Sequence, residues 1–161
     1  MKRIITLAIT SCFAIAANAA DPADTSKATY ADIQATFGSV PTFLKAFPAE
    51  SIAGAWSEMK SLQMNPRTAL SGKEKELIGL AVAAQIPCQY CIYAHTESAK
   101  ANGASDQEIK EAIAMSALTR HWSTFLNGAQ IDMEGFKREY DAAMKFAGEQ
   151  EEKANAKAKK K

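Results

Sequence analysis

The chain has 161 residues, is 47% hydrophobic and 23% charged, and carries a net charge of +1. That length suits one domain with a core of its own. A near-neutral balance gives no basic surface with which to hold nucleic acid, so no nucleic-acid partner is expected.

The first segment reads as an export signal. Met1-Lys2-Arg3 is positive, Ile4 to Ala16 is apolar, and Ala17-Asn18-Ala19 is an A-x-A cleavage pattern. Cleavage after Ala19 is expected, which makes the mature protein periplasmic or secreted. Ile9-Thr10-Ser11-Cys12 also resembles a lipid-attachment box, but its apolar stretch is very short. Removing residues 1–19 takes away Cys12, Lys2 and Arg3 and no acid, so three cysteines become two and the charge becomes −1. No later apolar run is long enough to cross a bilayer; Leu77 to Ile86 comes nearest. The destination is oxidising, so the remaining cysteines can form a disulfide.

The rest of the chain reads as helices in series. Residues 20–28 are small and polar and read as a mobile leader. Thr29 to Phe37 is a short helix closed by Gly38, and Ser39-Val40-Pro41 starts another turn or two. Pro48 opens a helix in which Ile52, Ala55, Trp56, Met59 and Leu62 keep helical spacing. Asn65-Pro66-Arg67 breaks it. Ser71-x-x-Glu74 is a capping box, followed by a stripe of Leu77, Leu80, Ala81 and Ala84. Pro87 ends that helix and introduces the next, from about Cys88 to Ala101, with Gly103 as its cap. Ser105-x-x-Glu108 is a second capping box, opening a long helix that ends near Asn127-Gly128. Asp132 caps a last helix whose buried side is marked by Phe136, Tyr140 and Met144. Glu149 to Lys161 is a lysine-rich, solvated tail, which could extend the last helix although nothing would bury it. Nothing alternates with period two, so the predicted class is all-α with no sheet, its helical domain spanning residues 29–148.

The chemistry concentrates in one segment. Cys88 and Cys91 are three residues apart and share a helix face. Pro87 puts Cys88 in the first turn, where unpaired backbone N–H groups favour an anion and lower a thiol pKa. His95 follows Cys91 by one turn and can exchange a proton with its sulfur. Other readings stand beside this one. A purely structural disulfide would close a very small loop and add little. Zinc would need a fourth ligand, His121 or Glu76. Covalent haem needs histidine directly after the second cysteine, where this chain has Ile92. A thioredoxin fold needs its motif after a strand. Glu76 lies in Lys73-Glu74-Lys75-Glu76, which can also be a solvated face. His121 reads as a packed or interface histidine, and Tyr93 and Trp122 as core or subunit contacts.

Glu76, eleven residues, Cys88-Gln89-Tyr90-Cys91, three residues and His95 together resemble the AhpD-like alkylhydroperoxidases of the carboxymuconolactone decarboxylase superfamily. Supporting segments are Leu77-Ile78-Gly79-Leu80-Ala81-Val82-Ala83-Ala84, Ala99-x-x-x-Gly103-Ala104, Glu108-Ile109-x-x-Ala112 and Gly38-x-Val40-Pro41. The likeness covers about Gly38 to Gly128. It implies a compact multi-helix bundle that assembles into a homotrimer or homohexamer, and a catalytic disulfide cycling between Cys88 and Cys91. It implies that Cys91 meets a hydroperoxide substrate, Cys88 resolves it, and Glu76 and His95 form the proton relay, with neither cofactor nor metal. Tyr90 stands where the founding peroxidases have a histidine, and the superfamily's lactone decarboxylases typically lack the cysteine pair. An exported member needs an exported dithiol protein as its reductant, or works as an oxidant. The alternatives are a thiol–disulfide oxidoreductase acting on proteins, and a non-enzymatic helical oligomer with a structural disulfide.

Overall fold

The computed structural model describes residues 22–159; the signal peptide read over residues 1–19, Cys12 included, lies outside them. The regular elements among the described residues are all helical, as the absence of period-two patterning predicts. None of these helices is long and apolar enough to cross a membrane. The chain divides into two compact units, Met1–Asn65 and Pro66–Lys161.

In the first unit, α1 spans Pro22–Phe37, so it begins seven residues before the expected Thr29 and takes in most of the segment read as a mobile leader. Ser26, Thr29 and Ile33 share one buried face at helical spacing. The Thr29 hydroxyl donates to the Thr25 carbonyl at 2.7 Å, which lets a polar residue be buried there. Gly38, at φ +78°, ends the helix in the left-handed region that favours glycine. A single turn, α2 (Thr42–Lys45), and α3 (Ile52–Glu58) follow. Ile33, Leu44, Ile52 and Trp56 form the core, with Tyr30, Val40 and Met59 packed against it.

The indole N–H of Trp56 donates to Asp32 Oδ2 at 2.6 Å, and Lys60 reaches the same carboxylate. The indole hydrogen bond and then Lys60 hold the Asp32 carboxyl below its ordinary range. Leu62 does not continue the predicted stripe. Met59–Gln63 is a π-helical turn, whose wider spiral shifts the residues after it out of register, and Leu62 is exposed.

The second unit contains α4 (Gly72–Gln85), α5 (Gln89–Ala101), α6 (Asp106–Gly128) and α7 (Met133–Ala158). Both predicted capping boxes form, Ser71 with Glu74 on α4 and Ser105 with Glu108 on α6. Leu80 of α4, Ala99 of α5 and Ile109 of α6 meet in the core. Lys73 on α4 pairs with Glu108 on α6 at 2.8 Å. The Gln85 side chain ties the far end of α4 to α6, donating to the Ser116 carbonyl at 2.6 Å and accepting from Arg120 at 2.7 Å.

Two details of the predicted pattern change. The buried positions of α4 are Glu76, Leu80 and Ala83, a face rotated from the predicted stripe of Leu77, Leu80, Ala81 and Ala84. The wholly apolar character of Leu77 to Ala84 hides which side faces inward. Asp132 caps α7 as expected, and the helix runs on through the lysine-rich segment to Ala158 with its residues there exposed. Its three marker residues, Phe136, Tyr140 and Met144, are not buried. An amphipathic stripe offers a face to bury, but among the described residues none of α7 is buried.

Candidate active site

Pro87 lies outside α5, and Cys88 is its N-cap residue rather than part of its first turn. Cys88 Sγ accepts the backbone N–H of Cys91 at 3.2 Å, the role a serine or aspartate oxygen takes at other helix starts. The first turn of α5 contains no acid, so nothing there opposes negative charge on a sulfur. Cys88 and Cys91 are joined as a disulfide with their Cα atoms 5.3 Å apart. Both residues are only partly exposed.

Glu76 is not part of a solvated face. It is 5% exposed, and its Oε2 lies 2.7 Å from Nδ1 of His95 on α5. The run that contains it divides its work: Lys73 reaches across to Glu108, Glu74 closes the capping box, and Glu76 turns inward. A carboxylate removed from water needs a hydrogen-bonding partner, and the imidazole supplies one. With Nδ1 engaged, Nε2 is the ring nitrogen left for proton exchange. His95 follows Cys91 by four residues on the same helix, so imidazole and sulfur project from one face. The fold therefore brings a carboxyl–imidazole pair and a dithiol onto neighbouring faces of α4 and α5.

The other residues singled out in the sequence stand apart from this group. His121 is exposed on α6 and meets Trp122 edge-on at 5.5 Å between ring centroids. Among the described residues no three His, Cys, Asp or Glu side chains are grouped so as to hold a metal ion. Tyr90, in the first turn of α5, is 90% exposed, and Tyr93 and Trp122 are also exposed, so none belongs to the core of this chain.

The sequence reading assigned no role to Gly79. It lies against the His95 ring, and its one sequence signal is a glycine inside an otherwise helical apolar run.

A family model described as the carboxymuconolactone decarboxylase family matches residues 51–132, a stretch that holds Glu76, Cys88, Cys91 and His95. The crystal structure of the alkylhydroperoxidase AhpD core from Rhodospirillum rubrum is similar in fold, with a TM-score of 0.61 and 29% identity. That match covers 70% of this chain and 86% of the other. The uncharacterized protein 4 in cox locus of Paracoccus denitrificans is 40% identical over 52 residues, 32% of this chain. The match spans 47% of that relative, so the chain corresponds to about half its length.

Proposed function

The chain belongs to the carboxymuconolactone decarboxylase family as an AhpD-like member, and we propose that it is an exported thiol-dependent peroxidase acting on hydroperoxides. The observation that carries this reading is the pair made by Glu76, buried on α4, and the partly buried His95 on α5, the helix that starts at the Cys88/Cys91 dithiol. Such a pair is expensive to bury and adds nothing to a purely structural disulfide. For a thiol that must lose a proton and then supply one to a leaving oxygen, it is the required equipment.

In the proposed cycle His95 takes the proton of the Cys91 thiol, with Glu76 holding the ring in place. The Cys91 thiolate attacks the terminal oxygen of the hydroperoxide. The O–O bond breaks, sulfur gains the hydroxyl as a sulfenic acid, and the alkoxide leaves with the proton that His95 held. The Cys88 thiol then attacks the Cys91 sulfur, the S–S bond forms, and water departs. An exported dithiol returns the disulfide to two thiols and is itself oxidised. The N-cap position of Cys88, with its Sγ already hydrogen-bonded to a backbone N–H, suits the sulfur that exchanges with such a partner. The same feature favours a second reading, a thiol–disulfide oxidoreductase acting on proteins.

We also propose that the working form is a homo-oligomer, a trimer or hexamer. Ile78 and Val82 on α4, Ile86 at its C-terminal cap, and Trp122 and Phe125 on α6 are exposed around a small buried core; apolar surface of this kind favours association. Light scattering at micromolar concentration checks this, and a clean monomer would refute it. The activity itself is tested by stopped-flow oxidation of the reduced protein with hydrogen peroxide and with an organic hydroperoxide, counting thiols lost. A rate well above that of a free small thiol is expected. A rate no faster, together with rapid exchange with a dithiol protein, would favour the oxidoreductase.

A further inference from the structure

Gly79 lies in the interior of α4, three residues after Glu76. Glycine is a poor residue for a helix interior, because ordering it costs more backbone entropy than ordering alanine. A Cβ added at this position would stand 2.5 Å from Cε1, 2.6 Å from Nδ1 and 2.8 Å from Nε2 of His95. Its three nearest heavy atoms are thus all in one imidazole, and none is backbone of α5. Gly148 on α7 differs, since a Cβ there meets nothing within 4 Å.

We propose that Gly79 is a positioning residue for the Glu76–His95 relay: its missing side chain leaves the slot in α4 in which the His95 ring sits. In that slot Nδ1 is held on Glu76 and Nε2 is left for the proton of Cys91. A methyl group at position 79 cannot share the space with the ring. The helices need not separate, because the nearest obstacle is a side chain that can rotate about its own bonds. The ring must leave, and the 2.7 Å contact with Glu76 goes with it. The consequence for rate rests on the peroxidase reading; the slot does not.

The experiment uses the full chain and the variants G79A, G148A, H95A and G79A/H95A. In the oxidised protein, nuclear magnetic resonance of the His95 ring reads the proton shared between Nδ1 and the Glu76 carboxyl as a downfield signal. That signal is expected in wild type and G148A and lost in G79A. In the reduced protein, G79A is expected to react with hydroperoxide on the order of 100-fold more slowly, the scale of loss for a misplacement of about 1 Å, while G148A reacts like wild type. In the H95A background, where the ring is gone, G79A is expected to cause no further loss. If G79A keeps the shared-proton signal and the wild-type rate, or slows H95A by the factor it slows wild type, the proposal is overturned. Should G79A fail to fold, recovery of folding in G79A/H95A supports the clash with the ring, and no recovery refutes it. If wild type shows no peroxidase rate, the enzymatic reading fails by itself, and the ring signal still decides for or against the slot.

Discussion

The α4–α5 pair and α7 are both helical, and for opposite reasons. α4 and α5 have 14 and 13 residues, close to the length at which an isolated helix is marginal. They are held from outside: Glu76 by His95, Leu80 by Ala99, Lys73 by Glu108, Gln85 by the Ser116 carbonyl. α7 has 26 residues, an Asp132 cap and a Glu134–Lys137 pair one turn apart, and buries nothing. Its order is local and its apolar stripe is unspent. A site that must hold a proton within hydrogen-bond reach belongs on the first kind of helix, where several partners fix each side chain. The second kind is free to change, or to meet another surface.

The largest effects should come from the sulfurs at the start of α5. Cys91→Ser is expected to abolish the reaction with hydroperoxide. Cys88→Ser should permit one oxidation and stop at a sulfenic acid, trapped by a dimedone probe, because no resolving thiol remains. The reverse result would exchange the two roles while keeping the enzyme class. Loss of stability in both variants, with no change in chemistry, would return the disulfide to a structural role. The next largest effects should come from the relay. Glu76→Gln and His95→Gln should slow the second-order reaction by roughly ten- to ten-thousand-fold with the fold intact, the range for losing a positioned acid or base. A silent Glu76→Gln would remove the main support for the peroxidase reading.

Much of this contrast was legible in the sequence, and its errors have physical causes. Capping boxes are local chemistry, so Ser71/Glu74 and Ser105/Glu108 could be read from four residues each. The spacing of Cys91 and His95 made their shared face of α5 legible, whereas Cys88 is the N-cap residue just outside it. Burial was harder to read. In Leu77 to Ala84 every position is apolar or small, so periodicity could not orient α4; the resemblance, not the pattern of burial, put Glu76 with His95, and the structure adds its inward direction and the 2.7 Å contact. In α7 the periodicity is clear, but a stripe does not say whether anything lies along it. The early start of α1 was hidden because the residues that bury its first turns are Ser26 and Thr29, which read as polar. The π turn at Met59–Gln63 has no sequence signal that we can identify.

Stability measurements should separate the two regions directly. Leu80→Ala removes a fully buried side chain where α4, α5 and α6 meet; a loss of about 2–5 kcal/mol is expected in urea denaturation. Phe146→Ala on α7 removes a larger side chain that is exposed; a change within about 0.5 kcal/mol is expected. Comparable losses at the two sites would mean that α7 is covered in solution. A loss at Phe146 that vanished on dilution would identify a second copy as the cover.

The smallest expected effect is electrostatic, and it separates the same two regions by pH. The Glu108 carboxyl is lowered from 4.5 to about 2, first by the Lys73 ammonium and then by hydrogen bonds from Ser105. A carboxyl whose pKa is lower in the folded than in the unfolded state binds fewer protons when folded. Its stabilising contribution is therefore fully present above about pH 4.5 and is lost as the pH falls toward 2. Glu74, lowered by its own capping box, acts with the same sign. Both groups are exposed, so salt should weaken the effect. Replacing Lys73 by Gln removes the largest cause at Glu108. The urea midpoint of Lys73→Gln is expected to lie below that of wild type at pH 6 and to converge with it as the pH approaches 2. Lys137→Gln, at an exposed pair within α7, should follow the wild-type curve throughout. Parallel curves for Lys73→Gln and wild type across this range would mean that the link from α4 to α6 contributes nothing, and that the α4–α6 contact rests on its apolar residues alone.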